Sequence, residues 1–250
     1  MQGENMINEP TNFSQIYISE NDKPLPPFLE ACVLSNQNIF QDCKHNLFSN
    51  EILRAFIDTH FGKEVLWAYD ELNPYSYRSD LGRFCLLHKL GGWYVDIALK
   101  LIKYVDVPDN LELLSFRDFQ PMTKTAWACA GGILYAKKNN PIFETAINLV
   151  IENCKNQYYG VSALCPTGPN LLGRAIATHG SNPNNMYGDV SYLTPFHPNS
   201  NKAFVLPNGD ILAHFKPSSG GDLTKLGAEG VNNYNFFWQN RSVYRSVKVN

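Results

Sequence analysis

Apolar and polar positions divide the chain into a first half of alternating strands and helices and a second half rich in loops. Residues 13–18 carry Phe13, Ile16 and Ile18 and predict a short strand, ended by the breaker Asp22-Lys-Pro-Leu-Pro-Pro27. A short helix is expected over 28–35. A better one starts at Asn50-Glu51 and runs to about Phe61, with Ile52, Leu53, Phe56 and Ile57 at helical spacing. Residues 65–69 read as a short strand. Residues 80–90 form a helix with Leu81, Phe84, Leu87 and Leu90 on one face, stopped by Gly91-Gly92. A strand over 93–101 follows, rich in aromatic and β-branched residues.

Further strands are expected at 111–116 and 132–135, and helices at 141–153 and 170–178. Residues 180–209 are dense in Asn, Pro and Gly and read as loop with short strands. Segments 203–206 and 210–215 are expected to pair across Pro207-Asn-Gly209. This order argues for an α/β layered sheet in a single domain with a loop-rich C-terminal half.

Composition changes little in this picture. The chain has 250 residues, is 44% hydrophobic and 18% charged, and carries a formal charge of −2. That balance gives no reason for a nucleic-acid or anionic-membrane partner. The six cysteines form no CxxC pair and no zinc spacing. They read as buried free thiols in a reducing compartment, with disulfides in a secreted protein as the alternative. Residues 1–12 are polar without a signal-like apolar core, and no stretch approaches the ~20 apolar residues of a membrane span. A cytoplasmic location is therefore expected.

Chemistry concentrates in Tyr77-Arg-Ser-Asp-Leu-Gly-Arg-Phe-Cys-Leu-Leu-His-Lys-Leu-Gly-Gly-Trp-Tyr-Val-Asp-Ile-Ala98. Ser79 or Asp80 is read as the helix cap, and Arg83 shares the face of Asp80. A helix folding back on a strand through a Gly-Gly turn can bring Asp80, Arg83 and Asp96 around one pocket. Two carboxylates and a guanidinium there suit sugar hydroxyls, a ribose, a metal or a diphosphate. Asp80 with Arg83 could equally be a plain helix-surface pair. Asp96 in an apolar strand is harder to dismiss, because a buried carboxylate needs a partner.

This pattern, Ser-Asp-x-x-Arg, an apolar helix and Gly-Gly-x-Tyr-x-Asp, resembles the DXD-containing sugar transferases of glycosyltransferase family 32. Capsule-synthesis transferases and the glucosylating domain of large clostridial toxins carry related versions. Asp22-Lys-Pro-Leu-Pro-Pro27, Asn73-Pro-Tyr75, residues 132–141, Thr167-Gly-Pro-Asn170 and Ala213-His-Phe215 resemble further family segments in the same order. The resemblance implies a Rossmann-like GT-A fold over residues 13–220, with 221–250 as a C-terminal extension packed on the same domain. It implies transfer of a sugar from a nucleotide-diphosphate sugar to a glycan or lipid-linked glycan, with retention at the anomeric carbon, in bacterial surface polysaccharide synthesis.

By matching position, the resemblance assigns Asp80, Arg83 and Asp96 as catalytic. It places Ile16, Tyr17, Ser79, Asp80, Arg83, Asp96, Lys216, Ser218 and Ser219 at the donor, and Asp96 and His214 at a Mn²⁺ or Mg²⁺ ion.

One departure stands out: Ala98 occupies the position of the second motif aspartate. The metal can be held by Asp96, His214, donor phosphates and water. Cations such as Arg83 and Lys216 can replace much of its role. Or the chain binds donor and turns it over poorly. Besides the enzyme, two alternatives remain: a catalytically weak module that binds a nucleotide sugar or glycan, and an effector that glycosylates a protein.

Overall fold

The computed structural model describes residues 11–119, 123, 125–193, 202–214, 223–228 and 233–245. Nine strands run as β1 (Asn12–Ile16), β2 (Lys44–Phe48), β3 (Gly92–Val95), β4 (Lys100–Leu101), β5 (Leu113–Arg117), β6 (Cys129–Ala136), β7 (Asn185–Tyr192), β8 (Lys202–Val205) and β9 (Ile211–His214). Among the described residues they form one sheet in the order β2-β1-β3-β6-β5-β7-β8-β9-β4. The helices are α1 (Pro27–Ile39), α2 (Asn50–His60), α3 (Lys63–Glu71), α4 (Tyr75–Leu90), α5 (Pro141–Asn156), α6 (Pro169–Thr178) and α7 (Tyr234–Gln239).

The sheet is mixed. β1 runs parallel to β2 and β3, and β5 to β7; the remaining pairings are antiparallel. It also has to curl. β3 and β4 lie six places apart in the order, about 29 Å on a flat sheet at ~4.8 Å per strand. The short link between them reaches at most ~18 Å. Only a sheet that brings its far edge round toward β3 satisfies both.

Side chains alternate across the sheet and feed two cores. Tyr94 and Leu134 join the core that packs beneath α2 to α6, with Leu53, Tyr69, Leu81, Phe84, Phe143 and Leu171. Trp93, Val95 and Ile133 join the opposite core with Phe13, Phe40, Phe116 and Phe204. Val243 and Tyr244 belong to the first core, and Tyr244 forms a β-bridge with Leu72.

Several expectations need correction. Residues 65–69 are helical, not a strand. Val65, Ala68, Tyr69 and Leu72 are all buried, a helix-period face that so short a window disguises. The strand expected over 93–101 is broken at Asp96, where Leu99 N–H donates to the Asp96 carbonyl at 3.0 Å, and β4 then pairs with β9. α4 begins five residues earlier than expected, at Tyr75. Pro74 precedes it, so neither Ser79 nor Asp80 is its cap. β2 and α7 were not legible in the sequence; β2 is a polar edge strand with a single buried residue, Phe48. The hairpin around Gly209 is present as β8 and β9. No helix among the described residues is long and apolar enough to cross a membrane.

Candidate active site

α4 supplies one side of the site. Ser76, Ser79, Asp80 and Arg83 recur at three- and four-residue intervals and form one polar stripe on a helix otherwise buried through its middle. The helix ends at Gly91 (φ +66°) and Gly92 (φ +82°), where only glycine sits without strain. A Cβ on Gly92 would also collide with the Asn12 carbonyl of β1. This turn lays β3 back along α4. Tyr94 faces α4, and Asp96, two residues on, emerges on the same side at the strand's end.

Arg83 is the hub. Its Nη2 lies 3.2 Å from Asp80 Oδ1 and 3.2 Å from Asp96 Oδ1. Nη1 donates to the Gly131 carbonyl at 2.5 Å and Nε to the Ser79 carbonyl at 3.3 Å. The guanidinium lies over the Tyr94 ring, 4.8 Å from its centroid. Gly131 makes this possible, since a Cβ there would strike Nη1. Two hydrogen bonds to backbone carbonyls fix the guanidinium while its Nη2 ion-pairs with both aspartates, which makes Arg83 a clamp on the two carboxylates.

Both aspartates have further partners. Thr167 donates its hydroxyl to Asp80 Oδ2 at 2.7 Å, and Tyr94 donates to Asp96 Oδ1 at 3.0 Å. Burial raises the Asp80 carboxyl above its ordinary value, opposed by Arg83 and the Thr167 hydroxyl. Burial also works against the Arg83 charge, but Asp96, Tyr94 and Asp80 together raise its pKa. The Asp96 side chain is 33% exposed against 7% for Arg83, so Asp96 is the carboxylate that meets solvent.

The clamp separates two lobes of one cleft. The larger, about 170 Å³, is lined by Ser76, Tyr77, Asp80, Arg83, Asp96, Leu99, Asp118, residues 130–132, Ala163, Leu164, Gly168, Pro169, Phe204 and Tyr234. The smaller, about 70 Å³, is lined by Ile16, Tyr17, Ile18, Ser76, Ser79, Arg83, Tyr94, Asp96, Ile97, Ala98 and Leu223. Tyr17 also borders a groove of about 520 Å³ formed with residues 23–28 and 225–227.

Asp80, Arg83 and Asp96 therefore meet as expected, and Ile16, Tyr17 and Ser79 line the smaller lobe beside them. Ala98 is buried there against Tyr17, Leu29, Val33 and Ile97. His214 is not brought in: it is exposed at the end of β9, in register with Lys100 and Ala203, and lines neither lobe. Lys216, Ser218 and Ser219 lie outside the described residues.

Three residues of the site, Asp118 and Tyr234 on the lining and Thr167 behind Asp80, had gone unassigned in the sequence. Thr167 was visible only as part of a Thr-Gly-Pro turn. Asp118 follows β5, and Tyr234 opens α7; neither lies in a motif, so no local signal pointed to them.

Oxygen donors suit Mg²⁺ or Mn²⁺, which keep several waters and use few protein ligands. Among the described residues no group of three or more His, Cys, Asp or Glu could hold a metal. Asp96 Oδ2, free of the Arg83 and Tyr94 contacts, is directed toward Gly132 at the cleft. The larger lobe is lined by three aspartates and one guanidinium, so an added diphosphate would need further positive charge. The donor set fits a hard cation held by one carboxylate, phosphate oxygens and water.

No family model matches the chain. An uncharacterised glycosyltransferase of Acanthamoeba polyphaga mimivirus is 25% identical over 120 residues, covering 48% of this chain and 45% of that protein. The chain thus spans about half the length of the curated relative it matches. Among solved structures, the PaToxG glycosyltransferase superposes with a TM-score of 0.53 and 18% identity, covering 68% of this chain and 70% of its own. The ligand-free glycosyltransferase domain of the YGT toxin aligns over 69% of each chain at 9% identity, with a TM-score of 0.44, too loosely to inform the fold. The curled mixed α/β sheet is accordingly a GT-A-like glycosyltransferase fold.

Proposed function

We propose that this protein transfers a sugar from a nucleotide-diphosphate sugar to an acceptor hydroxyl. The observation that carries the reading is the Asp80–Arg83–Asp96 clamp, set at the junction of two lobes in a GT-A-like fold. The nucleoside takes the smaller lobe and the groove beyond Tyr17, and the sugar takes the larger lobe. Asp80 and Asp96 accept hydrogen bonds from sugar or ribose hydroxyls, and Arg83 holds both carboxylates in place. Held in a partly buried cleft, these charges are already oriented where charge develops at an oxocarbenium-like centre. A bound Mn²⁺ or Mg²⁺ would supply positive charge to the departing diphosphate, with Asp96 as its protein ligand from this side of the cleft.

The motif resemblance to capsule-synthesis transferases favours a glycan acceptor in surface polysaccharide synthesis, and retention at the anomeric carbon. A thermal-shift screen of nucleoside diphosphates and nucleotide sugars, with Mn²⁺ or EDTA, identifies the donor, because a ligand bound to the native state raises the melting point. With that donor, Asp96→Ala and Asp80→Ala abolish transfer and Arg83→Ala lowers it by orders of magnitude. Near-normal turnover by folded Asp96→Ala protein would sink the assignment. Tight donor binding without turnover under any metal would instead favour a binding module.

A further inference from the structure

The larger lobe has a second polar patch, outside the clamp, to which the sugar-transfer reading gives no task. It consists of Asp118, just past β5, and Tyr234, the first residue of α7. The Tyr234 ring stacks on Tyr77 of α4, with centroids 5.9 Å apart and planes 26° from parallel.

Its mount is firm. The Asn233 side chain caps α7 by accepting from the N–H groups of Asn235 and Phe236. The Trp238 indole donates to the Tyr159 carbonyl at 2.8 Å, and Val243, further on, is fully buried. The phenol is therefore delivered to the cleft by a fixed segment.

Among the described residues, no hydrogen bond engages the Tyr234 hydroxyl. Burial, then the carboxylates of Asp80 and Asp118, push its ionisation above the ordinary value, so the hydroxyl sits within the field of both acids and stays protonated. Asp118 is itself raised by burial, opposed by the Phe119 N–H it accepts and by Lys202. Tyr234 is half-buried with its hydroxyl open to the cavity, and a phenol both donates and accepts. The Asp118 carboxylate on the same cavity only accepts. This pairing, framed by apolar Leu164, Pro169 and Phe204, matches adjacent hydroxyls on a carbohydrate ring and discriminates against an epimer that turns one of them away.

We propose that Tyr234 and Asp118 form a hydroxyl-recognition subsite that sets which carbohydrate this protein accepts. The hydroxyls belong either to the transferred sugar or to the acceptor, and the chemistry of recognition is the same. The inference rests on the sugar-transfer reading.

The test compares Tyr234→Phe and Asp118→Asn with wild type. Tyr234→Phe keeps the ring and its stacking on Tyr77, and a matching melting curve verifies the fold. Probes are UDP, GDP, UDP-glucose, UDP-galactose, UDP-N-acetylglucosamine and GDP-mannose for binding and donor hydrolysis, and a panel of methyl glycosides for transfer. Both variants should bind the bare nucleoside diphosphate as wild type does.

If the transferred sugar is the occupant, affinity for the preferred nucleotide sugar falls about tenfold, and the preference between the glucose and galactose epimers shrinks. If the acceptor is the occupant, donor binding and hydrolysis stay unchanged while the KM for the methyl glycoside rises about tenfold. Variants that match wild type in all of these readouts, on a protein that does bind nucleotide sugar, overturn the subsite and leave the sugar-transfer reading standing. A wild-type protein that binds none of the probes defeats the reading and the subsite together.

Discussion

The two walls of the larger lobe are built in opposite ways. The clamp wall comes from one continuous stretch, α4, the Gly91-Gly92 turn and β3, so its three charged residues lie within seventeen positions of sequence from Asp80 to Asp96. The other wall is assembled from Asp118, residues 163–169, Phe204 and Tyr234, four segments joined only by folding. The clamp wall is also tied together by charge, with Arg83 bonded to both aspartates and to Gly131. The other wall is held mainly by packing and hydrogen bonds, with the Lys202 charge acting on Asp118. A contiguous, ion-paired wall makes a rigid platform for what every donor shares. A wall of separate segments can change one residue at a time, and this is where selectivity can be tuned.

This contrast has consequences that can be measured. The largest should follow Arg83→Met. Two carboxylates would remain in a desolvated cleft without their cation, and breaking such a pair costs about 3–5 kcal/mol. Urea unfolding should report it, together with loss of transfer. A loss under about 1 kcal/mol would show that the clamp wall is not held by charge.

Gly92→Ala should come next. The residue needs φ of +82°, and the new Cβ would meet the Asn12 carbonyl, so about 3 kcal/mol of stability is lost as β3 shifts away from α4. Unchanged thermal unfolding would mean that the turn does not set the wall. Thr167→Val removes the hydroxyl that ties the other wall to Asp80 and should cost about 1–3 kcal/mol, with donor affinity reduced. If the double variant with Asp80→Asn simply added the two single losses, Thr167 and Asp80 would not be coupled.

The smallest effect is one of pH. Burial holds the Asp80 carboxyl above its ordinary 3.8, so the fold keeps this proton after the unfolded chain has released it. The stability this contributes is fully present below about pH 3.8 and is lost as pH rises through the folded value. Asp80→Asn should therefore flatten the decline in unfolding free energy over that interval. Superimposable curves for the two proteins would contradict it.

The clamp was legible in the sequence because its residues sit in two elements joined by a tight turn. Helical spacing put Asp80 and Arg83 on one face, and the glycines marked the reversal that brings Asp96 back. Element identity was less secure where windows were short or polar. Residues 65–69 looked like a strand although their buried positions follow a helical period, and β2 offered one buried residue as a signal. The start of α4 was misplaced because the polar residues of its second turn, Ser79 and Asp80, resemble a cap. They are polar because they face a cleft.

The chain's own pattern thus determined an α/β sheet, the helix–turn–strand unit and the three charged residues that meet across it. These follow from contacts between near neighbours, which periodicity and turn chemistry record. Only the tertiary structure decided that β4 leaves β3 to close the far edge of the sheet, and that Thr167 bonds Asp80. It alone put Asp118 and Tyr234 on a common cavity and kept His214 out of it. Each of these joins or separates residues distant in sequence. Such relations depend on how the sheet curls and which segments pack last, and no local alternation of apolar and polar residues encodes that.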